Sequence, residues 1–347
     1  MAYTTINKSA DYFNTKLYAG NNSSTHAITG VGFQPDWTWI KSRNFGESHR
    51  IFDAVRGASN HISSNANVAQ SSSYPLTSFD SDGFTIGSSD GSVNGNYNYA
   101  SWNWKANGQG SSNTTGSINT TYTSANTTSG FSIIKYNGNG TGGATIGHGL
   151  GAAPKLVIIK RTDTSSNWIV GHASQGFTKF NYFNTTDGVV TNAGAFNNTA
   201  PSSTVITLGT WNDVNNSSGT YIAYAFLDIR GYSKIGSYYG NGNADGQFVY
   251  LGFKPRYIVI KYPTSNGYDW KIYDSARDSY NGLDTNLEAN TSDTEPGESN
   301  MQIDYLSNGF KMRNTNSNYN QYDYEYLFWA FAEAPLVGSN NTPNTAR

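Results

Sequence analysis

The amino-acid sequence predicts an all-β protein with three tandem, homologous antiparallel β-sandwich or jelly-roll domains. One pattern occurs three times, and its segments from proline to lysine read PDWTWIK, PKLVIIK and PRYIVIK. The lysines stand at positions 41, 160 and 261, which is the spacing of small domains rather than of propeller blades or solenoid units. Aromatic residues make up 14% of the chain and glycines number 37, so strand and turn formers dominate over helix formers.

The elements of each repeat follow one order. A glycine turn after a tyrosine comes first, and the copies begin at Tyr18, Tyr136 and Tyr239. A short apolar run such as 156–159 (LVII) follows, too short for a helix and rich in β-branched residues, which predicts a buried central strand. An alternating aromatic strand closes the repeat, with matching positions at Trp102, Tyr224 and Trp329. Short strands separated by frequent turns are typical of an antiparallel sandwich.

These boundaries divide the chain into five parts. We expect the first repeat at 1–106, a polar linker of Asn, Gly, Ser and Thr at 107–130, the second repeat at 131–229, the third at 230–336 and a polar tail at 337–347. Because the linker lacks proline and almost all apolar residues, we expect it to behave as a flexible coil or to wrap loosely over a neighbour, with part of it pairing as an edge strand.

Composition argues against several classes of function. The net charge is −2 and no Lys/Arg run occurs, which disfavours a nucleic-acid partner. No apolar run approaches the length needed to cross a bilayer, so we expect no membrane insertion. The N-terminus lacks the basic and apolar regions of a signal peptide, which predicts synthesis in the cytoplasm without one. Cysteine is absent, the five histidines are not spaced for zinc, and no cofactor motif occurs, so we expect neither a metal nor a cofactor.

Paired charges recur in the first and third repeats. Asp53 precedes Arg56 at the spacing at which Asp274 precedes Arg277. The second repeat carries His172 and Gln175 at the matching places, so acid and base are lost together. Joint loss is what an internal ion pair predicts, because removing one partner of a buried pair costs more than exchanging both. We therefore interpret these residues as structural pairs, the alternative being a ligand site.

Two other motifs have structural interpretations. The repeated lysines end buried strands, where lysine usually extends to the sheet edge and discourages aggregation, so we do not interpret them as catalytic. Asp80-x-Asp82-Gly83 resembles the start of a calcium loop, but the twelfth position is Gly91 instead of the bidentate Glu. A weak calcium site of another type stays open as an alternative.

Surface aromatics are the candidate ligand-binding residues. Tyr319, Tyr322 and Tyr324 fall in an asparagine-rich segment before the closing strand of the third repeat. Asn94 and Tyr97 occupy a similar place in the first repeat. Tyrosine and asparagine together suit sugar stacking or a protein interface. The alternative is that these tyrosines simply cover the sandwich.

Several of these motifs resemble a repeat found in virion proteins of marine tailed bacteriophages. The resemblance rests on 13–18 (FNTKLY), 32–43 (GFQPDWTWIKSR), 53–57 (DAVRG) and 82–87 (DGFTIG), and is weakest in the second repeat. It implies a lectin-like β domain, often duplicated or triplicated, in tail-fibre, receptor-binding or other particle-surface proteins. No catalytic residue is carried over.

The resemblance leads to three hypotheses. The first is a non-enzymatic protein of the virion surface, made in the host cytoplasm, that attaches to a host cell-surface glycan or protein. It would contact other virion proteins and form a homo-oligomer, such as a trimer. The second hypothesis is a capsid decoration or other virion accessory protein. The remote third, a polysaccharide-degrading enzyme, needs two carboxylates on a groove, and no second acid recurs at an equivalent place in every repeat.

Overall fold

The computed structural model describes residues 3–73, 75–297, 300–338 and 342–345, and its architecture is all-β with several antiparallel sheets. Within the first repeat the strands are β1 (Phe13–Ala19), β2 (His26–Thr29), β3 (Trp37–Ser42), β4 (Arg50–Asp53), β5 (His61–Ile62), β6 (Leu76–Asp80), β7 (Gly83–Ile86) and β8 (Asn98–Trp104), preceded by a 3-10 turn at Ser9–Asp11.

The second repeat contains strands and two short helices. The strands are β9 (Tyr122–Asn126), β10 (Phe131–Asn137), β11 (Thr145–Gly147), β12 (Leu156–Arg161), β13 (Trp168–His172), β14 (Lys179–Tyr182), β15 (Val190–Thr191), β16 (Val205–Thr207) and β17 (Thr220–Phe226). The helices are α1 (Ala193–Phe196) and α2 (Asn212–Asn215). Asn192 caps α1 by accepting a hydrogen bond from the N–H of Gly194.

The third repeat contains only strands. These are β18 (Ser233–Tyr239), β19 (Phe248–Tyr250), β20 (Phe253–Lys261), β21 (Lys271–Asp274), β22 (Leu287–Glu288), β23 (Ile303–Leu306), β24 (Gly309–Met312) and β25 (Glu325–Pro335).

One strand order recurs in the three large sheets. The first sheet runs β1-β8-β3-β4-β5 and the third runs β18-β25-β20-β21-β22. The second contains the matching order β10-β17-β12-β13-β14, extended by β9 at one edge and β15 at the other. A smaller sheet accompanies each large one: β2-β7-β6, β11-β16 and β19-β24-β23. The sequence repeat is therefore also a repeat of sheet topology.

The register of the closing strand recurs as predicted. Trp102 pairs with Thr15 on one side and Trp39 on the other. Tyr224 and Trp329 occupy the same place between the first and central strands of their sheets. All three rings lie in one hydrophobic cluster. Since a slip of one residue would turn each ring to the opposite face, the matched aromatic spacing fixes the register.

The large sheets share a single core. One cluster contains Trp37 and Trp104 from the first repeat, Phe226 from the second, and Tyr257 and Phe331 from the third. The opposite face of each large sheet packs on separate clusters with its small sheet. Both faces are thus buried, which explains why the central strands are apolar runs rather than alternating ones.

The repeats close into a ring through three equivalent main-chain joints. Each joint uses the residue two places after the repeated lysine as the acceptor. The three hydrogen bonds are Gln70 N–H to Thr162 O (2.9 Å), Val189 N–H to Pro263 O (2.5 Å) and Glu295 N–H to Arg43 O (2.8 Å). The first repeat therefore contacts the second, the second contacts the third, and the third contacts the first. A head-to-tail contact that repeats three times and closes is the geometry of a cyclic trimer, here within one chain.

Side chains strengthen the same joints. In each repeat, one ring-bearing side chain near the strand that follows the central strand reaches the neighbouring repeat. It stands four residues before the end of β4, β13 or β21, and the three residues are His49, Trp168 and Trp270. Their ring nitrogens bond Glu288 O (2.9 Å), Ser63 O (2.9 Å) and Tyr182 O (2.9 Å), respectively. The side chain of His172 also crosses to the third repeat, at 3.2 Å from Phe328 O.

The polar segment 107–130 forms part of the second repeat's sheet. Its strand β9 pairs antiparallel with β10, so the expectation of an edge strand is confirmed. Ile118 bridges Ile146 of β11. The segment thus covers the slot between the large and small sheets of this repeat. Of the tail predicted at 337–347, residues 339–341 and 346–347 lie outside the described residues, and Val337 forms a bridge with Pro343.

Candidate binding groove

The candidate site is a surface groove of about 440 Å³ in the third repeat, between β18 and β19. Tyr239, Phe248 and Tyr250 line it, and their side chains are 57%, 39% and 56% exposed. Exposed aromatic side chains grouped along one cleft are uncommon on a protein surface and are typical of recognition sites. Ser237 and Gln247 add polar groups to the lining.

The floor of the groove has a composition particular to this repeat. Gly236 pairs with Phe328, where the second repeat pairs Ile134 with Ala223. A Cβ at Gly236 would lie 2.9 Å from the ring of Phe328, so the ring covers the glycine directly. Large and small residues have exchanged places across the strands, and the result is an aromatic floor under the edge of β18.

A second groove, of about 410 Å³, adjoins the first and shares Lys234 and Tyr250 with it. The hydroxyl of Tyr3 donates to Gly252 O at 2.6 Å, and the guanidinium of Arg230 lies 4.6 Å from the Tyr3 ring centre. Burial raises the pKa of Tyr3 to about 12, so this hydroxyl stays a donor at neutral pH. Cation and ring together fix one wall of the groove.

The charges beside this groove are partly compensated. Asp228 accepts ion pairs from Lys155 at 2.6 Å and from Lys234 at 3.4 Å. All three side chains are partly exposed, so these pairs contribute little to stability. The carboxylate of Asp228 also accepts a hydrogen bond from the N–H of Ile235 at 2.6 Å, which holds the start of β18 in place.

Two of the predicted ligand-binding residues are interior. Asn94 and Tyr319 are fully buried, which corrects the expectation that they are surface groups. The amide of Asn94 donates to Ser23 O (2.9 Å) and accepts from the N–H of Asn21 (3.1 Å), and so it holds the first glycine turn. The main-chain oxygen of Tyr319 accepts from the Tyr238 hydroxyl at 2.8 Å.

The other three predicted tyrosines reach the surface to different degrees. Tyr322 is 72% exposed. Tyr97 stacks on Phe45 with ring centres 4.1 Å apart. Tyr324 stacks on Tyr262 at 4.4 Å. Both stacked rings are half-buried, and a ligand role for these three tyrosines stays a prediction.

The structure identifies a repeated asparagine that sequence reasoning missed. Asn94, Asn215 and Asn320 are all fully buried, and each accepts a hydrogen bond from the N–H of the asparagine after the glycine turn. Their amide groups also donate to main-chain oxygens of nearby loops. The available signal was an asparagine five or six residues before the closing tyrosine of every repeat. Its role is to fix the turn rather than to bind a ligand.

The predicted pair of Asp53 and Arg56 is present and buried. Arg56 Nε lies 2.5 Å from Asp53 Oδ2, and the two side chains are 1% and 0% exposed. The same carboxylate accepts a hydrogen bond from the Tyr224 hydroxyl of the second repeat at 2.7 Å. The pair therefore lies at a joint between repeats, away from the groove.

The prediction that Asp274 pairs with Arg277 in the third repeat was wrong. Arg277 forms its ion pair with Glu295, not with Asp274. The carboxylate of Asp274 instead accepts from the N–H of Ala276 (2.7 Å) and from Trp102 Nε1 (2.7 Å) of the first repeat. Glu295 also pairs with Arg43 of the first repeat at 2.6 Å, so one carboxylate bridges two arginines at the joint between the third and first repeats.

The repeated lysines are buried, which corrects the expectation that they extend to the sheet edge. Lys41, Lys160 and Lys261 are all 0% exposed. Lys41 Nζ donates to Ser292 O of the third repeat at 3.1 Å, and Lys160 Nζ to Asn67 O of the first at 3.2 Å. Lys41 and Lys160 therefore reach across the joints between repeats, whereas Lys261 Nζ donates to Tyr268 O of its own repeat. Main-chain oxygens accept from all three ammonium groups.

Burial lowers the pKa of each of these lysines to about 8. In the unfolded chain the same groups keep the ordinary value of 10.5. Between these two pH values the unfolded chain holds protons that the folded chain has released. The lysines therefore make the free energy of unfolding rise with pH in that interval.

The calcium alternative is not favoured by the contacts of Asp80 and Asp82. Asp82 accepts from the main-chain N–H groups of Gly30 (2.9 Å) and Gly32 (2.6 Å). Asp80 accepts from the hydroxyls of Ser78 and Thr85, both at 2.7 Å. These carboxylates therefore hold their own loop and strands together. Among the helices of the described residues, none has the length and apolar character needed to cross a membrane.

The fold and the groove define an all-β protein whose three sheet repeats pack in a ring and present an aromatic surface groove. The chain belongs to the family described as a domain of unknown function, DUF7483, whose model matches residues 8–335. The match spans all three repeats. No curated protein and no solved structure matches the chain significantly.

Proposed function

We propose that the chain is a non-enzymatic structural protein of a bacteriophage virion surface, with a role in host attachment. Each repeat would be a lectin-like β-sandwich domain in which a large sheet faces a small one. This finer description is supported by the recurring strand order and by the separate apolar clusters between the paired sheets. The resemblance of the first repeat to phage virion repeats supplies the biological setting.

The observation that carries the attachment role is the aromatic groove of the third repeat. Tyr239, Phe248 and Tyr250 present flat rings beside Ser237 and Gln247. Rings supply contact area with little loss of conformational entropy, and neutral polar groups supply hydrogen bonds, a combination that suits a glycan or a protein surface. The exposed Tyr322 lies within van der Waals reach of Gly242, in the loop that follows β18.

Binding to bacterial cells tests this proposal. The fluorescently labelled chain is incubated with a panel of strains, and bound protein is measured by flow cytometry. We expect binding to susceptible strains that falls in Tyr250→Ala. Tyr280→Ala is the matched control, because Tyr280 is 82% exposed and does not line the groove. Equal binding by both variants would contradict the attachment role of the groove.

The second candidate function is capsid decoration or another accessory role on the particle. The ring closed by three equivalent joints favours it, because a cyclic arrangement matches a platform of threefold symmetry. Immunogold labelling of intact particles separates the two candidates: label on tail tips supports attachment, and label on the head supports decoration. In both cases the partners are other virion proteins, and a homo-oligomer is part of the proposal.

A further inference from the structure

The slot between the large and small sheets is filled in the second repeat and open in the third. In the second repeat β9 pairs with the edge strand β10, and Ile118 bridges β11. The equivalent strands of the third repeat are β18 and β19, and the space between them is the groove of about 440 Å³. The same slot therefore holds an extended segment in the second repeat and holds none in the third.

The edge of β18 presents its main chain toward this slot. The N–H of Ile235 donates to the carboxylate of Asp228, and the N–H of Ser233 donates to Ile229 O. The main-chain N–H and C=O groups of the odd-numbered residues of β18 therefore point away from β25. By the alternation of an antiparallel ladder, the N–H and C=O of Ser237 face the slot as well. In the second repeat the equivalent carbonyl, that of Lys135, accepts from the N–H of Thr121 at 2.7 Å.

We propose that the groove of the third repeat binds an extended segment of another polypeptide, which adds as an antiparallel strand to β18. Main-chain hydrogen bonds to Ser237 supply the pairing, and the rings of Tyr239, Phe248 and Tyr250 cover alternate side chains of the bound segment. This inference deepens the proposed function, on which it rests, by naming the class of ligand.

The filled slot indicates the chemistry of the occupant. The segment from Tyr122 to Asn126 (YTSAN) is uncharged and, after its tyrosine, contains only small side chains, three of them polar. A second copy of this chain does not have that strand to offer, because it already pairs with β10. The occupant is therefore a neutral, Ser/Thr/Asn-rich strand of a different protein.

A synthetic peptide with the sequence of residues 117–128 (SINTTYTSANTT) serves as the probe, measured by fluorescence anisotropy on the full chain. We expect saturable binding that weakens about tenfold or more in Ser237→Pro, which removes the N–H that faces the slot. Proline is tolerated on an edge strand at such a position. Ser237→Ala is the matched control, because it removes only the side chain and keeps the N–H, so it should lose much less affinity than Ser237→Pro.

A peptide with proline at the places of Tyr122 and Ser124, the residues that pair with Lys135 and Ile133 of β10, is the second control, and it should not bind. Hydrogen exchange provides an independent readout that needs no folded proline variant: the amide of Ser237 should become protected when the peptide is added. No binding in the millimolar range, or equal affinities for the two Ser237 variants, would overturn the proposal.

Two further outcomes would overturn the inference and leave the proposed function in place. If maltoheptaose binds the groove and the peptide does not, the site is a glycan site and the attachment role stands. If the chain dimerises with rising concentration and Ser237→Pro abolishes the dimer, the edge pairs with a second copy. If the chain binds the peptide but does not bind cells, the attachment role is contradicted and the inference about the peptide stands.

Discussion

Removal of the Asp53 carboxylate gives the sharpest test of how the ring is held together. In Asp53→Ala, Arg56 loses its ion partner while its side chain stays 1% exposed, and the Tyr224 hydroxyl loses its acceptor. Breaking one side of a buried pair costs about 3–5 kcal/mol, because the remaining charge is uncompensated. We expect the free energy of unfolding to fall by about that amount.

Urea unfolding followed by tryptophan fluorescence measures this loss. The double change Asp53→His and Arg56→Gln copies the second repeat and removes both charges, so its loss should be smaller by at least about 1 kcal/mol. Asp11→Ala is the control, since Asp11 pairs with Lys8 at the surface and should contribute less than about 1 kcal/mol. A double variant less stable than the single one would refute the reasoning.

Three other predictions follow from the same features. The free energy of unfolding should rise from pH 8 toward pH 9 as the folded chain releases the protons of Lys41, Lys160 and Lys261, below the pH at which buried tyrosines with a raised pKa, such as Tyr224, oppose the rise; Lys160→Met should flatten the rise in pH-dependent urea titrations, and an unchanged slope contradicts it. The fragment 1–106 should fail to fold alone, because the shared core would be exposed on one face of its sheet; sharp, dispersed NMR signals from it would show otherwise. Binding to cells should change little when salt is raised several-fold and should fall in Tyr322→Ala, since it depends on stacking and neutral hydrogen bonds; a steep salt dependence with that variant unaffected argues for ion pairing instead.

The repeat unit could be predicted from the sequence because it depends on local patterns. Apolar runs of β-branched residues, glycine turns and matched aromatic spacing specify strands, turns and register within one repeat. They placed Trp102, Tyr224 and Trp329 at one core position, and the joint loss of charges at His172 and Gln175 indicated the buried pair of Asp53 and Arg56.

The packing of the repeats could not be predicted, because a hydrophobic pattern shows which face is buried and not what buries it. Lys41 bonds Ser292 O of the third repeat, and Arg277 pairs with Glu295, which also pairs with Arg43 of the first repeat; these contacts join distant parts of the chain. Likewise, Tyr319 and Tyr322 share one tyrosine-rich segment, yet the first is interior and the second is 72% exposed.

The sequence by itself determined the all-β class, the threefold repetition and the order of the main elements along each repeat. Only the tertiary structure decided that the three large sheets share one core, that the joints close into a ring, and that the slot beside β18 stays open while the one beside β10 is filled. The physical reason is that propensity and periodicity act over a few residues, whereas burial against a neighbouring repeat is set by contacts between residues far apart in the chain.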